Sequence, residues 1–220
     1  MKELFNGVFG RDSMVLTKNL VPGKKIYGER LLKSEGIEYR EWIPYRSKLC
    51  AAIKNGLTSV PLKEGSNVLY LGIAEGTTAS HISDIIGKEG IIFGVDISEK
   101  TMTRLLRVCE DRENILPLLA DANRPEEYAE HLEGYEVELL YQDVSQKNQA
   151  EIFNKNAELF LPKGGAGMIS IKSQSVSSTV PATKIFAEQK KILEEKFNIV
   201  QEINLKPFEK DHLFCLLEKK

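Results

Sequence analysis

Two glycines four residues apart follow a short apolar run, at a point where the backbone could approach a ligand. Gly72 and Gly76 form a G-x-x-x-G turn, and either Thr77 or Thr78 can cap the helix that follows. Roughly 20 residues later the next apolar run ends in Asp96, where an acid can hydrogen-bond the diol of a ribose. The combination predicts a nucleoside-binding site.

Polar residues also follow the next two apolar runs. They are Asp121-Ala122 and Asp143-Val144-Ser145-Gln146. A dinucleotide site requires G-x-G-x-x-G, and Glu75 would place a negative charge beside the pyrophosphate. S-adenosylmethionine carries a cationic sulfonium instead, which an acidic turn tolerates. We therefore expect S-adenosylmethionine as the cofactor; a dinucleotide and a bare structural turn are the alternatives.

Apolar strands and amphipathic helices alternate from Asn67 onward. The predicted strands are residues 68–71, 91–95, 115–119, 137–141, 166–171, 199–205 and 213–217. The predicted helices of this region are residues 78–86, 98–110, 146–160 and 182–196, and a further helix is predicted before it, at residues 45–55. Alternation requires crossover connections, hence a mostly parallel sheet covered on both faces. The last two strands have no helix between them and predict an antiparallel edge hairpin. The predicted class is α/β, a Rossmann-like methyltransferase fold around a seven-stranded sheet.

The first 55 residues have a different character, with short extended segments and turn-rich residues 10–13. The predicted extended segments are residues 3–9, 14–19, 25–27 and 30–32. We therefore predict two parts: a small N-terminal β-rich subdomain with its linking helix over residues 1–55, and a methyltransferase domain over residues 56–220.

Composition places the chain among globular proteins, with 42% hydrophobic and 28% charged residues. We expect no secretory signal and no membrane span, because charges interrupt the first residues and no apolar run approaches roughly 20 residues. Cys50, Cys109 and Cys215 stand far apart, which indicates reduced thiols and neither a disulfide nor a metal site. The net charge of −2 argues against strong unaided RNA binding.

Four stretches of the sequence resemble the fibrillarin family. They are VLYLGIAEGTTASHISDIIG at residues 68–87, EWIPYRSKL at residues 41–49, DVSQ at residues 143–146 and PFEKDH at residues 207–212. The resemblance covers residues 28–220, and four specific motifs in the same order do not arise by chance.

Fibrillarin-like proteins are 2′-O-methyltransferases, so the resemblance implies that this chain methylates ribose hydroxyls in ribosomal RNA and in transfer RNA. It also implies that the protein acts as part of a box C/D particle, in which a guide RNA selects the target nucleotide. The implied partners are a Nop-family scaffold protein and a kink-turn-binding protein of the ribosomal L7 type. The sequence has no Gly/Arg-rich tail, so it resembles the archaeal form, and we expect a cytoplasmic location.

The resemblance also assigns cofactor contacts. Thr77 and Thr78 would face the methionine end, Asp96 would hold the ribose hydroxyls, and Ile97 would lie against the adenine. Asp121 and Ala122 would border the adenine edge, and Asp143, Val144, Ser145 and Gln146 would lie beneath the sulfonium. Departures from the family's common pattern occur at Glu75, Asp96, Ile97 and Ser145. We expect them to affect donor affinity more than reaction type.

A catalytic set of Lys48, Asp143, Lys172 and His212 is likewise implied by the resemblance. A ribose hydroxyl is barely acidic near neutral pH, so a site must orient it and stabilise or remove its proton. Two ammonium groups can lower the effective pKa of a nearby lysine or hydroxyl, while a carboxylate orients the network. The sequence leaves open which member accepts the proton, and His81 is left outside the set as equally suited to a structural role.

Three other functions remain as alternatives. A small-molecule methyltransferase would need an enclosing pocket instead of an open lysine-lined surface. A non-catalytic scaffold would be expected to have lost Lys48, Asp143 or Lys172, and all three are present. A dehydrogenase is disfavoured by the glycine spacing.

Overall fold

The N-terminal part of the chain is an antiparallel β-sheet. The computed structural model describes residues 1–220, and the first five strands are β1 Lys2–Phe5, β2 Val8–Arg11, β3 Met14–Lys18, β4 Leu31–Ser34 and β5 Ile37–Trp42. Their order in the sheet is β1-β2-β3-β5-β4, and every neighbouring pair is antiparallel. The β-rich character predicted for this region is confirmed.

Two of the extended segments predicted here were wrong in detail. Residues 3–9 are not one strand, because Asn6-Gly7 forms a hairpin turn in which Gly7 has φ +71°. Asn-Gly is a strong hairpin signal, since glycine reaches positive φ without strain. Residues 25–27 are not a strand either: the amides of Ile26 and Tyr27 donate to the Glu29 carboxylate. The hairpin in this part of the chain turns instead at Glu35-Gly36, between β4 and β5.

The second sheet has seven strands. They are β6 Asn67–Leu71, β7 Ile91–Asp96, β8 Ile115–Leu119, β9 Leu139–Gln142, β10 Ala166–Lys172, β11 Phe197–Asn204 and β12 His212–Lys219. Their order is β11-β12-β10-β9-β6-β7-β8; β6 to β10 are parallel, and β12 is antiparallel to both neighbours. The predicted mostly parallel sheet with an antiparallel edge hairpin is confirmed. The strand order reverses between β6 and β9, which is where α/β sheets bind ligands.

Six α-helices connect or cover these strands. They are α1 Lys48–Lys54, α2 Thr77–Ile86, α3 Glu99–Cys109, α4 Gln149–Phe160, α5 Ser173–Val176 and α6 Ala182–Leu193. The side chains of Ser47 and Ser98 cap α1 and α3 by accepting backbone N–H groups. α4 begins three residues later than predicted, because residues 143–148 form an irregular loop. No helix combines the length and the apolar character needed to cross a bilayer.

The hydrophobic core lies on both faces of the seven-stranded sheet. One cluster of 30 buried side chains runs from Val8 and Trp42 in the N-terminal sheet, through Ile82 of α2, to the main sheet. A second cluster of 23, which includes Phe153 and Phe197, fills the other face. Both faces are covered, as a parallel sheet requires. The division between residues 55 and 56 stays a prediction.

Four charged side chains without solvent exposure join the N-terminal sheet to α2. The Asp84 carboxylate of α2 lies 2.9 Å from Nη1 of Arg40 and 2.8 Å from Nη1 of Arg112. Nε of Arg40 also lies 2.7 Å from Oε1 of Glu29, and all four side chains have 0% exposure. We call Glu29, Arg40, Asp84 and Arg112 the buried ionic cluster. Its two positive and two negative charges balance, as buried charges must.

His81 lies beside this cluster. Its Nδ1 is 2.7 Å from the Thr17 hydroxyl, its Nε2 is 2.7 Å from the Tyr27 hydroxyl, and its ring stacks on Trp42 at 4.8 Å between centroids. Burial, reinforced by the charges of Arg40 and Arg112, holds the His81 pKa well below its usual value near 6.5. His81 therefore contributes to the contact between the N-terminal sheet and α2.

Candidate functional site

Two adjoining clefts open at the carboxyl ends of the parallel strands. The first has a volume of about 290 Å³, and its lining includes Gly72, Asp96, Ile97, Asp121, Ala122, Asp143, Val144, Ser145 and Gln146. The second, about 270 Å³, is lined by residues that include Thr77, Thr78 and Lys48 and shares Gly72 and Asp143 with the first. The structure thus brings the predicted cofactor residues together at the switch point of the sheet. Their individual contacts with a cofactor stay predictions.

A larger cleft, about 610 Å³, lies at the opposite end of the strands and contains none of the predicted residues. Volume alone would favour it, but its lining mixes acids with Lys88 and Arg112, and the Arg112 side chain is buried and already pairs with Asp84. Ligands of open α/β sheets bind beyond the carboxyl ends of the strands. The two smaller clefts are therefore the better candidate.

The turn after β6 shapes the floor where the two clefts meet. Gly72 has φ +78°, and a Cβ atom there would stand 2.6 Å from the carbonyl oxygen of Asp143. Only glycine fits both the backbone angle and this approach. At the start of α2 the amides of Thr77, Thr78 and Ala79 have no acceptor within the chain. These N–H groups, at the positive end of a helix dipole, suit a carboxylate.

Asp96 has its carboxylate directed at backbone amides. Oδ2 accepts from Ala74 N–H at 2.9 Å, and Oδ1 accepts from Ser98 N–H at 2.9 Å. Each carboxylate oxygen can accept more than one hydrogen bond, so acceptor capacity remains for a diol. The next residue, Ile97, is 61% exposed and offers an apolar surface to the cleft.

Asp121 is held in a turn of its own. Its Oδ1 accepts from both the backbone and the side chain of Asn123, at 2.9 Å each, and these bonds, the backbone one first, lower the pKa of Asp121. Asp121 therefore keeps its negative charge at the edge of the first cleft. Glu75, the acid in the glycine turn, pairs with Arg104 of α3, which offsets its charge.

Lys48 and Asp143 form an ion pair, and both residues line the second cleft. Lys48 Nζ lies 2.9 Å from Asp143 Oδ2, with side-chain exposures of 26% and 18%. Burial by itself would lower the pKa of Lys48, but the charge and hydrogen bond of Asp143, with Glu209, outweigh it and raise that pKa. Lys48 is therefore a persistent cation, and Asp143 a carboxylate held in one orientation.

Lys172 and His212 form a second pair, through the backbone. The register of β10 and β12 places them directly opposite each other, so their side chains share one face of the sheet. His212 is 6% exposed, and its Nδ1 lies 2.7 Å from the Lys210 carbonyl oxygen. A carbonyl only accepts, so Nδ1 carries a proton and donates to it, and Nε2 is the ring nitrogen left without a partner in the chain.

The predicted catalytic set is thus arranged as two pairs, Lys48 of α1 with Asp143 just after β9, and Lys172 of β10 with His212 of β12. Asp143 forms its ion pair with Lys48 and none with Lys172. β10, which ends in Lys172, lies beside β9, which ends just before Asp143. No group of three or more His, Cys, Asp or Glu side chains is arranged to hold a metal ion.

Several residues that line the clefts were not predicted. They are Ala74, Val95 and Ala120 in the first cleft and Arg46, Tyr70, Ile73, Ala74, Glu75 and Thr101 in the second. Most stand within three positions of a predicted residue, so the strand ends already pointed to them. Thr101 is the exception, because it reaches the cleft from α3, four positions after Ile97.

The chain is similar to known proteins over most or all of its length. A family model described as Fibrillarin matches residues 1–220. The fibrillarin-like rRNA/tRNA 2′-O-methyltransferase of Pyrococcus abyssi (strain GE5 / Orsay) is 51% identical over 205 residues, which cover 93% of this chain and 89% of that protein.

Two solved structures are similar over almost the whole chain. Aeropyrum pernix fibrillarin, in complex with natively bound S-adenosyl-L-methionine, is 46% identical with a TM-score of 0.86, covering 93% of this chain and 88% of that one. The fibrillarin of a fibrillarin/Nop5p complex is 40% identical with a TM-score of 0.90, covering 100% of both chains. With a family model matched along its full length and relatives this similar in sequence and fold, the chain belongs to the fibrillarin family.

Proposed function

We propose that this protein transfers the methyl group of S-adenosylmethionine to ribose 2′-hydroxyls of ribosomal and transfer RNA, as the catalytic subunit of a box C/D guide-RNA particle. The observation that carries the proposal is the Lys48–Asp143 ion pair beside a cleft lined by the predicted cofactor residues. The names of its relatives support the reaction and the RNA classes. The bound cofactor in the related A. pernix structure supports the methyl donor.

The residues of the clefts fit S-adenosylmethionine in shape and charge. Gly72 has no side chain to fill the clefts that it lines, and the free amides of Thr77 and Thr78 would receive the methionine carboxylate. Asp143 would lie near the sulfonium, Asp96 would hold the ribose, and the exposed face of Ile97 would cover the adenine. Carboxylates near the sulfonium and amides near the carboxylate give complementary charges along the cleft.

When bound, the donor supplies an electrophilic methyl group on a good leaving group. The chain's own task is then to hold the ribose hydroxyl in line and to handle its proton. Lys48 keeps its proton, so it acts as a cation that favours a developing alkoxide. Within the set, the Asp143 carboxylate can accept a hydrogen bond from the hydroxyl, and so can Nε2 of His212 in the neutral form of the ring.

Target choice is proposed to come from outside the chain. A net charge of −2 gives no general attraction for RNA, since non-specific affinity depends on neutralising phosphates with lysine and arginine. A guide RNA, a Nop-family scaffold protein and a kink-turn-binding protein of the ribosomal L7 type would present the target. The similarity to the fibrillarin of a Nop5p complex supports the scaffold partner; the family resemblance supports the others.

The test measures transfer of radiolabelled methyl groups onto a target RNA. We expect almost none with the protein alone at physiological salt, and site-specific 2′-O-methylation when the scaffold, the kink-turn protein and the guide RNA are added. Efficient methylation of unguided RNA by the protein alone would contradict the guided mechanism. Calorimetry of the isolated protein with S-adenosylmethionine is the companion measurement, and no heat signal at high micromolar donor would contradict the cofactor.

A further inference from the structure

The end of β10 lacks a strand partner on one side. β9 pairs with β10 only from Ala166 to Ile169, so Ser170 to Lys172 extend beyond it. On the other side, β12 pairs with β10 as far as Lys172. The N–H and carbonyl of Lys172 on the β9 side therefore need partners from elsewhere, because buried backbone groups are almost always hydrogen-bonded.

The side chain of Gln149, the first residue of α4, supplies both partners. Its Oε1 accepts from the Lys172 N–H at 2.9 Å, and its Nε2 donates to the Lys172 carbonyl at 3.1 Å. A side-chain amide presents a donor and an acceptor in one plane, as a peptide group does, so Gln149 closes the gap a neighbouring strand would close. Gln149 is 0% exposed, so water does not compete for these bonds.

A second buried glutamine connects this contact to the strand that carries Asp143. Gln142 is the last residue of β9, and its Nε2 donates to the backbone carbonyl of Gln149 at 2.8 Å. Its Oε1 is buried without a partner, which costs desolvation free energy. A purely stabilising role would be better served by an apolar side chain. The two amides thus link the strand end before Asp143 to the strand end at Lys172.

We propose that Gln149 is a positioning residue for methyl transfer, which holds the backbone of Lys172 in register beside the strand end that bears Asp143. The inference rests on the proposed function, in which Lys172 belongs to the catalytic set. Displacement of a reacting group by about 1 Å can cost on the order of a hundredfold in rate. Loosening the end of β10 should therefore slow the reaction without changing donor binding, since Gln149 lines neither cleft.

The test compares Gln149→Leu with wild type in the fully assembled guide-RNA particle. We expect kcat to fall by about tenfold to a hundredfold, while KM for S-adenosylmethionine changes less than about twofold. Gln189→Leu is the matched control, because Gln189 is also buried and also contacts α4. Its Oε1 accepts from the Ala150 N–H at 3.1 Å, but it forms no hydrogen bond with Lys172. Its kcat should stay near that of wild type.

A double-mutant cycle separates positioning from general stabilisation. In a Lys172→Ala background, adding Gln149→Leu should lower kcat by less than about twofold, because Gln149 acts through Lys172. The inference would be overturned if the losses of kcat in the two single variants were additive, or if Gln189→Leu lost as much kcat as Gln149→Leu. Should Gln149→Leu fail to fold, Gln149→Asn, which withdraws the amide by one methylene, replaces it with the same expectation.

The failure of this inference is distinguishable from the failure of the proposed function. An inactive wild-type particle would overturn both. An active wild-type particle together with a Gln149→Leu variant of normal kcat would overturn only the role of Gln149.

Discussion

The cleft and the buried ionic cluster use similar side chains for different purposes. At the cleft, Lys48 and Asp143 are 26% and 18% exposed and form one hydrogen-bonded ion pair. In the cluster, Asp84 is unexposed and contacts two guanidinium groups and the Thr17 hydroxyl. Charged groups in contact with solvent can also contact a ligand, whereas completely buried charged groups can pair only with one another. Environment, more than residue type, therefore separates charged groups that can meet a ligand from charged groups that only stabilise the fold.

Removing a charge from the buried ionic cluster should give the largest effect. In Asp84→Ala, Arg112 loses its only carboxylate and stays buried with an uncompensated charge. We expect the free energy of unfolding to fall by about 3–5 kcal/mol, as for other broken buried ion pairs. Denaturant unfolding followed by circular dichroism measures it.

Glu126→Ala provides the matched surface control, because Glu126 and Lys155 form an ion pair with side chains 63% and 50% exposed. That substitution should leave the free energy of unfolding close to that of wild type. If Asp84→Ala proved as mild as Glu126→Ala, the cluster would not be holding the N-terminal sheet to α2.

The opposite result is expected at the cleft, where Asp143→Ala should reduce activity and leave stability almost unchanged. Turnover in the assembled particle should fall by on the order of a hundredfold or more, about 2.7 kcal/mol in activation free energy. The unfolding free energy should change by no more than about 1 kcal/mol, since Lys48 can turn its ammonium into the cleft. Near-normal turnover at saturating donor would remove Asp143 from the mechanism.

The difference between the two regions also explains what could be predicted from the sequence. Strand ends at Asp96 and Asp143 follow from apolar runs, and parallel strands gather their carboxyl ends at one edge. The fold and the cleft were therefore predictable. The family resemblance alone implied that Lys48 and Asp143 belong to one set, since 95 positions separate the two in sequence, and their ion pair was not predicted.

The buried ionic cluster was not predictable. Arg40, Asp84 and Arg112 come from a strand, a helix and a loop. In the sequence each resembles an ordinary charged residue on the polar face of its segment. Only the packing of the N-terminal sheet onto α2 makes them neighbours. Likewise, no local pattern marks Gln149 as a substitute for a strand, because the gap it fills depends on where β9 ends.

The smallest of the expected effects concerns pH and the histidine beside the cluster. The folded-state pKa of His81 is depressed well below 6.5, chiefly by burial, so the folded protein binds no proton there while the unfolded chain does. Above pH 6.5 both states are neutral and His81 adds no pH dependence. Below it the unfolded state gains a proton, and stability should fall by up to about 1.4 kcal/mol per pH unit.

Unfolding free energies measured between pH 7.5 and 5.5 test this for wild type and His81→Gln, since glutamine does not titrate. Near pH 5.5 the carboxylates change the stability of both proteins in the same way. The difference between the two slopes of unfolding free energy against pH therefore isolates the effect of the histidine. His131→Gln is the control, because His131 is a surface side chain with 47% exposure. If wild type and His81→Gln lost stability in parallel below pH 6.5, the imidazole would have to accept its proton inside the folded protein. The contacts of His81 with Thr17 and Tyr27 would then have to rearrange to accommodate a third buried cation beside Arg40 and Arg112.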